Sequence, residues 1–347
     1  MEAATSEAWA GLQSAMREAE ALVSEAAPDA ETRAEGLGYL ARLVASTLES
    51  TFSPHERTTG GLYFGWMKLG GYNPDYLMGR AQIDPKGRYR LTGRLNDAVR
   101  LGIGFYSPTP RGQDLDAYTS NDHLDLDAEG RFALEIGPDL SGPNTLAQGP
   151  ASSVLTTREL VLKPGGRRPE MTFTRLDVET PPLSAQPLTA EAADAKLKAA
   201  AAQLLVTVGR FLTWSRVISS RPNEVTVLAE ELDQAVRGDP DTRYYSGYFD
   251  LEPDQALVIE LPQVECPYRA IQAVTHWLEP IPRANFNHTN WRADPDGVVR
   301  VVVARRDPGR ANWLDVGGRR RGALLYRTVG LDREVIPQAR VVALESP

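Results

Sequence analysis

The stretch ADPDGVVRVVVA, residues 293–304, indicates the fold class of this chain. In its turn, Asp294-Pro295-Asp296-Gly297, the first aspartate can bind its own backbone and the glycine accepts a positive φ, which is typical of a β-hairpin loop. The run that follows is rich in β-branched residues and has the length of a strand. The C-terminal third is therefore predicted to be antiparallel β-sheet, with four more such runs at ALVIEL (256–261), YRAIQAV (268–274), ALLYRTV (323–329) and ARVVAL (339–344).

The region upstream, from about residue 63 to 178, has the same character. Turn sequences at 84–87, 127–130 and 163–166 separate short runs of strand length. Three such turns favour antiparallel sheet over helical crossovers. No strand leads through a glycine-rich turn into a helix, so a nucleotide-binding doubly wound fold is not expected. Apart from the recurring turns, the sequence shows no internal repeat.

Two segments have helical periodicity. The first carries an apolar stripe that ends near Pro54 and consists of Leu37, Leu40, Val44 and Leu48. The second begins at Thr189, a predicted N-cap, after a proline-rich linker at 180–188. The predicted divisions of the chain are an N-terminal helical segment (1–52), an N-terminal β-rich lobe (53–180), a helical bridge (181–238) and a C-terminal β domain (239–347).

Composition and charge exclude several classes of function. The 347 residues carry 38 Lys and Arg against 46 Asp and Glu, a net charge of −8, which disfavours a protein that grips nucleic-acid phosphates. The single cysteine, Cys266, excludes an intramolecular disulfide and thiolate metal clusters. No apolar run has the length of a membrane span, and the first thirty residues lack the pattern of a secretory signal. We therefore expect a cytoplasmic protein without membrane insertion.

Three segments resemble a known family. They are YYSGYFDLEPDQALVIELPQVECPY (244–268), HWLEPI (276–281) and DPDGVVRVVVARRDPGRANWLDVGGRRRGALLYR (294–327), which together are similar to the bacterial domain-of-unknown-function family 1214. The stretch GGYNPDYLMGRAQID (70–84) resembles the upstream region of that family's long members. This chain departs from the family pattern at Gln255, Val316 and Arg319.

The resemblance implies a jelly-roll-like antiparallel β domain at 239–347 and no agreed activity. Together with the patterns above, it predicts a mostly β fold with α: antiparallel, jelly-roll-like β lobes, a helical N-terminus and a central helical segment.

The first candidate site is the loop that follows the run at 298–304. It brings together Asp307, Asn312, Trp313 and Asp315 behind a Pro-Gly turn. The aspartates could act as acid and base, the asparagine could donate to an oxyanion, and the tryptophan could wall an apolar substrate. A capped turn with a packed tryptophan is the alternative interpretation.

The second candidate site is Asn73-Pro74-Asp75-Tyr76. Asp75 would be a further catalytic carboxylate, with Asn73 and Tyr76 binding substrate. The alternative is an Asx-turn that starts a strand. In the aromatic run at 244–249, alternate residues share a face, so Tyr245 and Tyr248 point to opposite sides. One of these rows is expected to pack in the core and the other to line a cavity.

Two further residues are candidates for substrate binding. His276 is followed by Trp277 and Glu279, although no second histidine stands at metal-ligand spacing, so no metal is expected. Arg327 lies within an apolar strand, where an arginine is expected to face a carboxylate of the protein or of a ligand. A structural pair with Asp307 or Asp315 is the alternative.

Two functions from different classes fit these patterns. The first is a cofactor-independent enzyme that uses Asp75, Asp307 and Asp315 for acid/base chemistry on a small, largely apolar metabolite such as a lipid, steroid or terpenoid. It would be a hydrolase, lyase, isomerase or cyclase. The second is a non-catalytic jelly-roll module that binds carbohydrate or a protein partner. Either prediction excludes nucleic acid as a partner and leaves a homo-oligomer open.

Overall fold

The computed structural model of the protein describes residues 2–53, 58–109, 112–178, 187–236 and 238–344. Most of the predicted linker at 180–188 lies outside these ranges. The fold is mostly β with helices, as the sequence predicts, and it divides into two compact units. Unit 1 comprises Met1–Met67 and Asp75–Val208, and unit 2 comprises Lys68–Pro74 and Gly209–Pro347.

Unit 1 begins with the helices α1 (Glu2–Ala26) and α2 (Ala30–Phe52). The side chain of Asp29 caps α2 by accepting a hydrogen bond from Thr32 N. The buried stripe of α2 is centred on Tyr39, Leu40 and Leu43, whereas Leu37 is 47% exposed. The predicted stripe was therefore rotated by about one residue, because the apolar residues at 37–44 fit more than one helix face.

The strands of unit 1 form a sandwich of two sheets. One sheet has the order β1-β2-β3-β9-β5-β6 and the other the order β10-β4-β7-β8. Leu101 and Phe105 from the first sheet meet Leu91 and Leu134 from the second in one core. The strands are β1 (Thr58–Thr59), β2 (Leu62–Tyr63), β3 (Tyr76–Gln82), β4 (Tyr89–Arg94), β5 (Arg100–Thr109), β6 (Gly112–Ser120), β7 (Arg131–Gly137), β8 (Thr145–Ala147), β9 (Val154–Leu160) and β10 (Glu170–Arg175).

Unit 2 is a second sandwich. Helix α3 (Ala190–Ser219) contributes its last turns to this unit, and α4 (Glu230–Val236) follows. One sheet has the order β11-β12-β18-β14-β15 and the other the order β17-β16-β13-β19. The strands are β11 (Val225–Val227), β12 (Thr242–Asp250), β13 (Gln255–Leu261), β14 (Tyr268–Val274), β15 (Pro280–Asn287), β16 (Val299–Ala304), β17 (Trp313–Asp315), β18 (Arg321–Val329) and β19 (Gln338–Ala343).

The two sandwiches repeat one topology. If β3–β10 are matched in chain order to β12–β19, both sheets acquire the same strand order in both units. Even the parallel pair β7–β8 has its counterpart in β16–β17. The expectation that the chain lacks an internal repeat was therefore wrong. Few identities survive, among them the pairs Tyr76/Tyr244, Gly79/Gly247 and Pro85/Pro253.

The four predicted turns form where the sequence places them. The last residue of each turn donates its backbone N–H to the carbonyl of the first, as Gly130 does to Asp127 and Gly297 to Asp294. However, these turns are not hairpins, because the strands they join belong to opposite sheets of a sandwich. Consecutive strands do pair elsewhere, for example β5 with β6 and β14 with β15.

Candidate functional site

The candidate site lies on one face of the five-stranded sheet of unit 2. Tyr245, Phe249 and Tyr326 point into the sandwich core. Their neighbours in sequence therefore point the other way, as the alternation of a strand requires. We call this side the outer face, and its central strands carry Tyr244, Tyr248, Gln272, Leu325 and Arg327.

Two helices cover part of the outer face. Ile218 of α3 and Leu232 of α4 are buried in one cluster with Tyr248, Val274 and Leu278. Trp214 and Leu228 pack against that cluster. The C-terminal end of α3 thus packs its apolar residues against this face.

The segment Lys68–Pro74, which we call the strap, crosses the same face. Gly71 N donates to Leu278 O, and Gln272 Nε2 donates to Tyr72 O at 3.1 Å. The strap needs glycine because Gly70 and Gly71 have φ of +67° and +72°, and a Cβ on Gly71 would lie 2.7 Å from Leu325 Cδ1. The strap is therefore bound to the sheet by its backbone and fitted closely against it.

Arg327 joins the strap to the sheet. Its guanidinium donates to Gln272 Oε1 at 3.0 Å and to Gly71 O, and it lies 6.0 Å from the centre of the Tyr244 ring. The residue is only 9% exposed. A guanidinium stays protonated in a protein, so this places a cation against the buried sheet surface.

A cavity of about 70 Å³ lies between the strap, α3, α4 and the outer face. Its described lining is almost wholly apolar, and Arg327 supplies its charged group. A wider and more polar cleft of about 740 Å³ adjoins the cavity. Leu228, Tyr244 and Tyr245 line both. The apolar walls of the cavity are Trp214, Ile218, Leu228, Leu232, Leu278 and Leu325.

His276 belongs to a buried network beside the cavity. Ser215 donates its hydroxyl to His276 O at 2.7 Å, and Ser215 Oγ lies 3.2 Å from His276 Nε2. Because the hydroxyl has one proton, Nε2–H donates to Ser215 Oγ, and the Tyr248 hydroxyl shares a hydrogen bond of 2.8 Å with Nδ1. This network fastens α3 to the sheet, and His276 is not among the described residues that line the cavity.

We expect Ser215→Ala to lower the free energy of unfolding by about 1–2 kcal/mol, because it leaves buried partners without their hydrogen bond. The matched control is Ser220→Ala. The Ser220 hydroxyl likewise donates to a backbone carbonyl at 2.7 Å, that of Val217, but it is exposed. Its cost should stay below about 0.5 kcal/mol. Urea unfolding measures both, and equal effects of the two substitutions would contradict a fastening role for the network.

The predicted carboxylates of unit 2 cap their own turns. Asp307 Oδ1 accepts from Gly309 N, and Asp315 Oδ1 accepts from Gly317 N, both at 2.8 Å. Neither aspartate is among the described residues that line the cavity. These hydrogen bonds are the ones that the alternative interpretation, a capped turn, requires. A catalytic role for either aspartate stays a prediction.

Asn312 and Trp313 make structural contacts. Asn312 Oδ1 accepts from Arg292 N, and its Nδ2 donates to the carbonyls of Arg292 and Arg300. The equivalent residue of unit 1, Asn144, exchanges the same pair of hydrogen bonds with the backbone of Asp125. The asparagine is therefore a feature of the repeated fold. Trp313 Nε1 donates to Ala304 O, on the face of its sheet away from the core.

The remaining predicted residues are divided between the units. Asp75 and Tyr76 belong to unit 1, where Tyr76 opens β3. Asn73 belongs to the strap of unit 2, and its Nδ2 donates to the Tyr268 hydroxyl at 2.9 Å. Tyr245 is in the core, and its hydroxyl accepts from Val335 N. Of the predicted site residues, Arg327 and Tyr245 are among those that line the cavity.

The sequence interpretation missed most of the cavity. Trp214, Leu228, Leu232 and Gln272 received no role in the predicted site. Gly70 and Gly71 were quoted only for a resemblance. A signal did exist for the helix residues, because an apolar helix face must pack against some other surface.

The described ranges hold no group of three or more His, Cys, Asp or Glu side chains placed to bind a metal ion. Within the same ranges, no helix is long and apolar enough to cross a membrane.

Several solved structures are similar to this chain. An uncharacterised protein from Burkholderia cenocepacia is 28% identical and matches over 97% of both chains, with a TM-score of 0.86. A protein from Vibrio parahaemolyticus is 13% identical and matches 87% of this chain and 98% of its own, with a TM-score of 0.49. No protein-family model and no curated protein matches the chain, so its resemblance to family 1214 stays a prediction. The Burkholderia structure supports the fold of both units and carries no activity with it.

Proposed function

We propose that the protein binds a small, largely apolar molecule in the cavity beneath the strap. The observation that carries this proposal is the cavity itself, which has apolar walls from two helices and a sheet and adjoins an open cleft. Ligand sites in proteins are commonly concave and mostly apolar, with a few fixed polar groups. A binding function of this kind needs no carboxylate in the cavity.

The size of the cavity limits its occupant. A dry cavity of about 150 Å³ holds a benzene molecule, so 70 Å³ suits a group of about three to five carbons. A larger ligand would place such a group in the cavity and extend its remaining atoms into the cleft. Small terpenoids and short or branched acyl groups meet this limit.

Acid/base catalysis draws no support from the cavity lining. Its described members include no Asp or Glu, and Asp307 and Asp315 are occupied by their own turns. We therefore favour binding as the function of this site, with catalysis by Asp75, Asp307 and Asp315 as a separate prediction.

The test is a thermal-shift screen of the full chain with neutral alcohols and ketones of four to ten carbons, and with oligosaccharides. At about a hundredfold excess over the dissociation constant, a ligand that fits should raise Tm by about 5 °C. Leu228→Trp, at the junction of cavity and cleft, should abolish that shift by filling the space. The control Val341→Trp, at an exposed site on β19, should keep it.

A shift that survives Leu228→Trp would place the ligand elsewhere and contradict the proposal. Stabilisation by oligosaccharides alone, also unaffected by Leu228→Trp, would favour the carbohydrate-binding alternative.

A further inference from the structure

We infer that the ligand of this cavity carries a carboxylate, which Arg327 recognises. The inference rests on the proposed function and names the chemical class of the ligand. Arg327 is nine-tenths buried and is the charged member of the described cavity lining. A guanidinium offers a planar fork of donors that matches the two oxygens of a carboxylate.

Two neutral acceptors hold this fork in place. Gln272 Oε1 accepts from Nη1, and Gly71 O accepts from Nη2. Gln272 is itself positioned by the strap, since its Nε2 donates to Tyr72 O. The plane of the guanidinium is thus set by both the sheet and the strap before any ligand enters, and such preorganisation lowers the cost of binding.

The internal repeat shows that the sandwich does not need an arginine at this position. In unit 2, Arg327 lies opposite Tyr244 and Ala270. In unit 1, the residue opposite Tyr76 and Arg100 is Leu160, which is 1% exposed. By the same register, the counterpart of Gln272 is Gly102. One topology is therefore built with an apolar residue and a glycine where unit 2 has Arg327 and Gln272.

Buried arginines also occur on the equivalent face of unit 1, at Arg100 and Arg158, so the role of Arg327 is inferred from its place in the cavity lining. One arginine matches the single charge of a carboxylate better than the nearly double charge of a phosphate monoester. The acidic side chains of the adjoining cleft are exposed or half-exposed, among them Glu230, Asp233 and Glu334, so salt and water screen their repulsion of an anion.

The first experiment needs no variant. Isothermal titration of the full chain compares butyrate and isovalerate with their neutral amides and with the corresponding alcohols. Each acid should bind at least about tenfold more tightly than its amide of nearly equal shape, because only the acid has a charge for Arg327. Acids that bind no better than the neutral compounds would overturn the inference and leave the proposed function standing. If acids, amides and alcohols all fail to bind, the proposed function itself fails.

The second experiment tests whether Arg327 causes the preference for the acid over the amide. Arg327→Met should abolish the preference for acid over amide, while the affinity for the alcohol changes less than about threefold. Arg327→Lys keeps the positive charge but loses the planar set of donors, so it should retain part of the preference for the acid. It replaces Arg327→Met in the test if the Met variant does not fold. The matched control is Arg243→Met, because Arg243 lines the cleft and donates to the carbonyls of Leu331 and Asp332. A preference that persists in folded Arg327→Met, or is lost in Arg243→Met, would overturn the assignment to Arg327.

Discussion

At pH 8, Glu159→Gln should be more stable than the natural protein by about 3 kcal/mol, and at pH 4.5 or below the two should be nearly equal. Glu159 lies on β9, on the core face of its sheet, opposite Leu77 and Leu101, and is 2% exposed. Loss of hydration there raises the pKa of its carboxyl from 4.5 to about 7, against the opposing charge of Arg168. The buried carboxyl is therefore a source of pH-dependent instability in unit 1.

The direction of the effect follows from proton binding. Between pH 4.5 and 7, the folded protein holds a proton on Glu159 that the unfolded chain has released, so the free energy of unfolding falls as pH rises through this window. Above pH 7 both states are ionised and the full penalty remains. Each unit of pKa difference corresponds to about 1.4 kcal/mol, which gives the total of about 3. Glutamine has nearly the same shape and no charge, so it removes this dependence.

Urea midpoints at pH 5, 6, 7 and 8 measure this prediction. The matched control is Glu135→Gln, because Glu135 is a half-exposed carboxylate of the same unit that pairs with Arg90 on the surface. Its substitution should change stability by less than about 1 kcal/mol at every pH. Parallel curves for natural protein and Glu159→Gln would show that Glu159 keeps its hydration and that the account of its burial is wrong.

Asn312→Ala should lower the free energy of unfolding by about 2–4 kcal/mol. The residue is 3% exposed, and alanine would leave the N–H and C=O of Arg292 and the C=O of Arg300 without this partner. A fully buried group costs about 1–3 kcal/mol when left unsatisfied, and these three groups are partly buried, so water relieves part of that cost. Guanidinium or urea unfolding of the full chain measures the loss.

The equivalent residue of unit 1, Asn144, provides a comparison for the loss of stability. Asn144→Ala removes the two hydrogen bonds to Asp125, but in a more exposed setting where water replaces them, so its cost should be about 1 kcal/mol. Asp307→Asn, an exposed turn position, should change stability by less than about 0.5 kcal/mol. If Asn312→Ala left stability intact and instead abolished ligand binding, the loop at 307–315 would be functional and the structural account of Asn312 wrong.

Local chemistry made part of the fold predictable. The β-branched runs identified most strands, and the turns at 84–87, 127–130 and 294–297 form as expected. A turn sequence fixes the path of four residues, but it does not choose the partner of the strand that follows. That choice depends on contacts between distant strands, which is why turns that resemble hairpin loops in sequence instead connect two sheets.

The repeat escaped detection for a related reason. A sandwich constrains which positions are apolar, and many side chains satisfy that constraint. Glu159 and Tyr326 occupy equivalent places, opposite Leu77 and Tyr245 respectively, yet share no chemistry. Burial disfavours the ionised form of both side chains, and it raises the pKa of the Glu159 carboxyl and of the Tyr326 hydroxyl. Topology is conserved between the units where sequence is not.

The candidate site was only partly predictable. Arg327 could be selected because a charge in the middle of an apolar strand needs a partner. Its contact with Gly71 could not be anticipated, since the strap is distant in sequence and contributes backbone atoms, which any residue type provides. The aspartates were predicted to be catalytic because of their acidity. In loops, however, an aspartate side chain most often accepts a hydrogen bond from the backbone of its own turn.

The strap also has a consequence for how the chain is made. Its seven residues leave the ribosome before any of residues 209–347 exists, and unit 1 resumes immediately after them. During synthesis, the hydrogen bonds of the strap to Gln272 and Arg327 can form only after β14 and then β18 have emerged. The pocket is therefore completed only after these distant strands have been made, and an expression fragment that starts at the central helix would lack its roof.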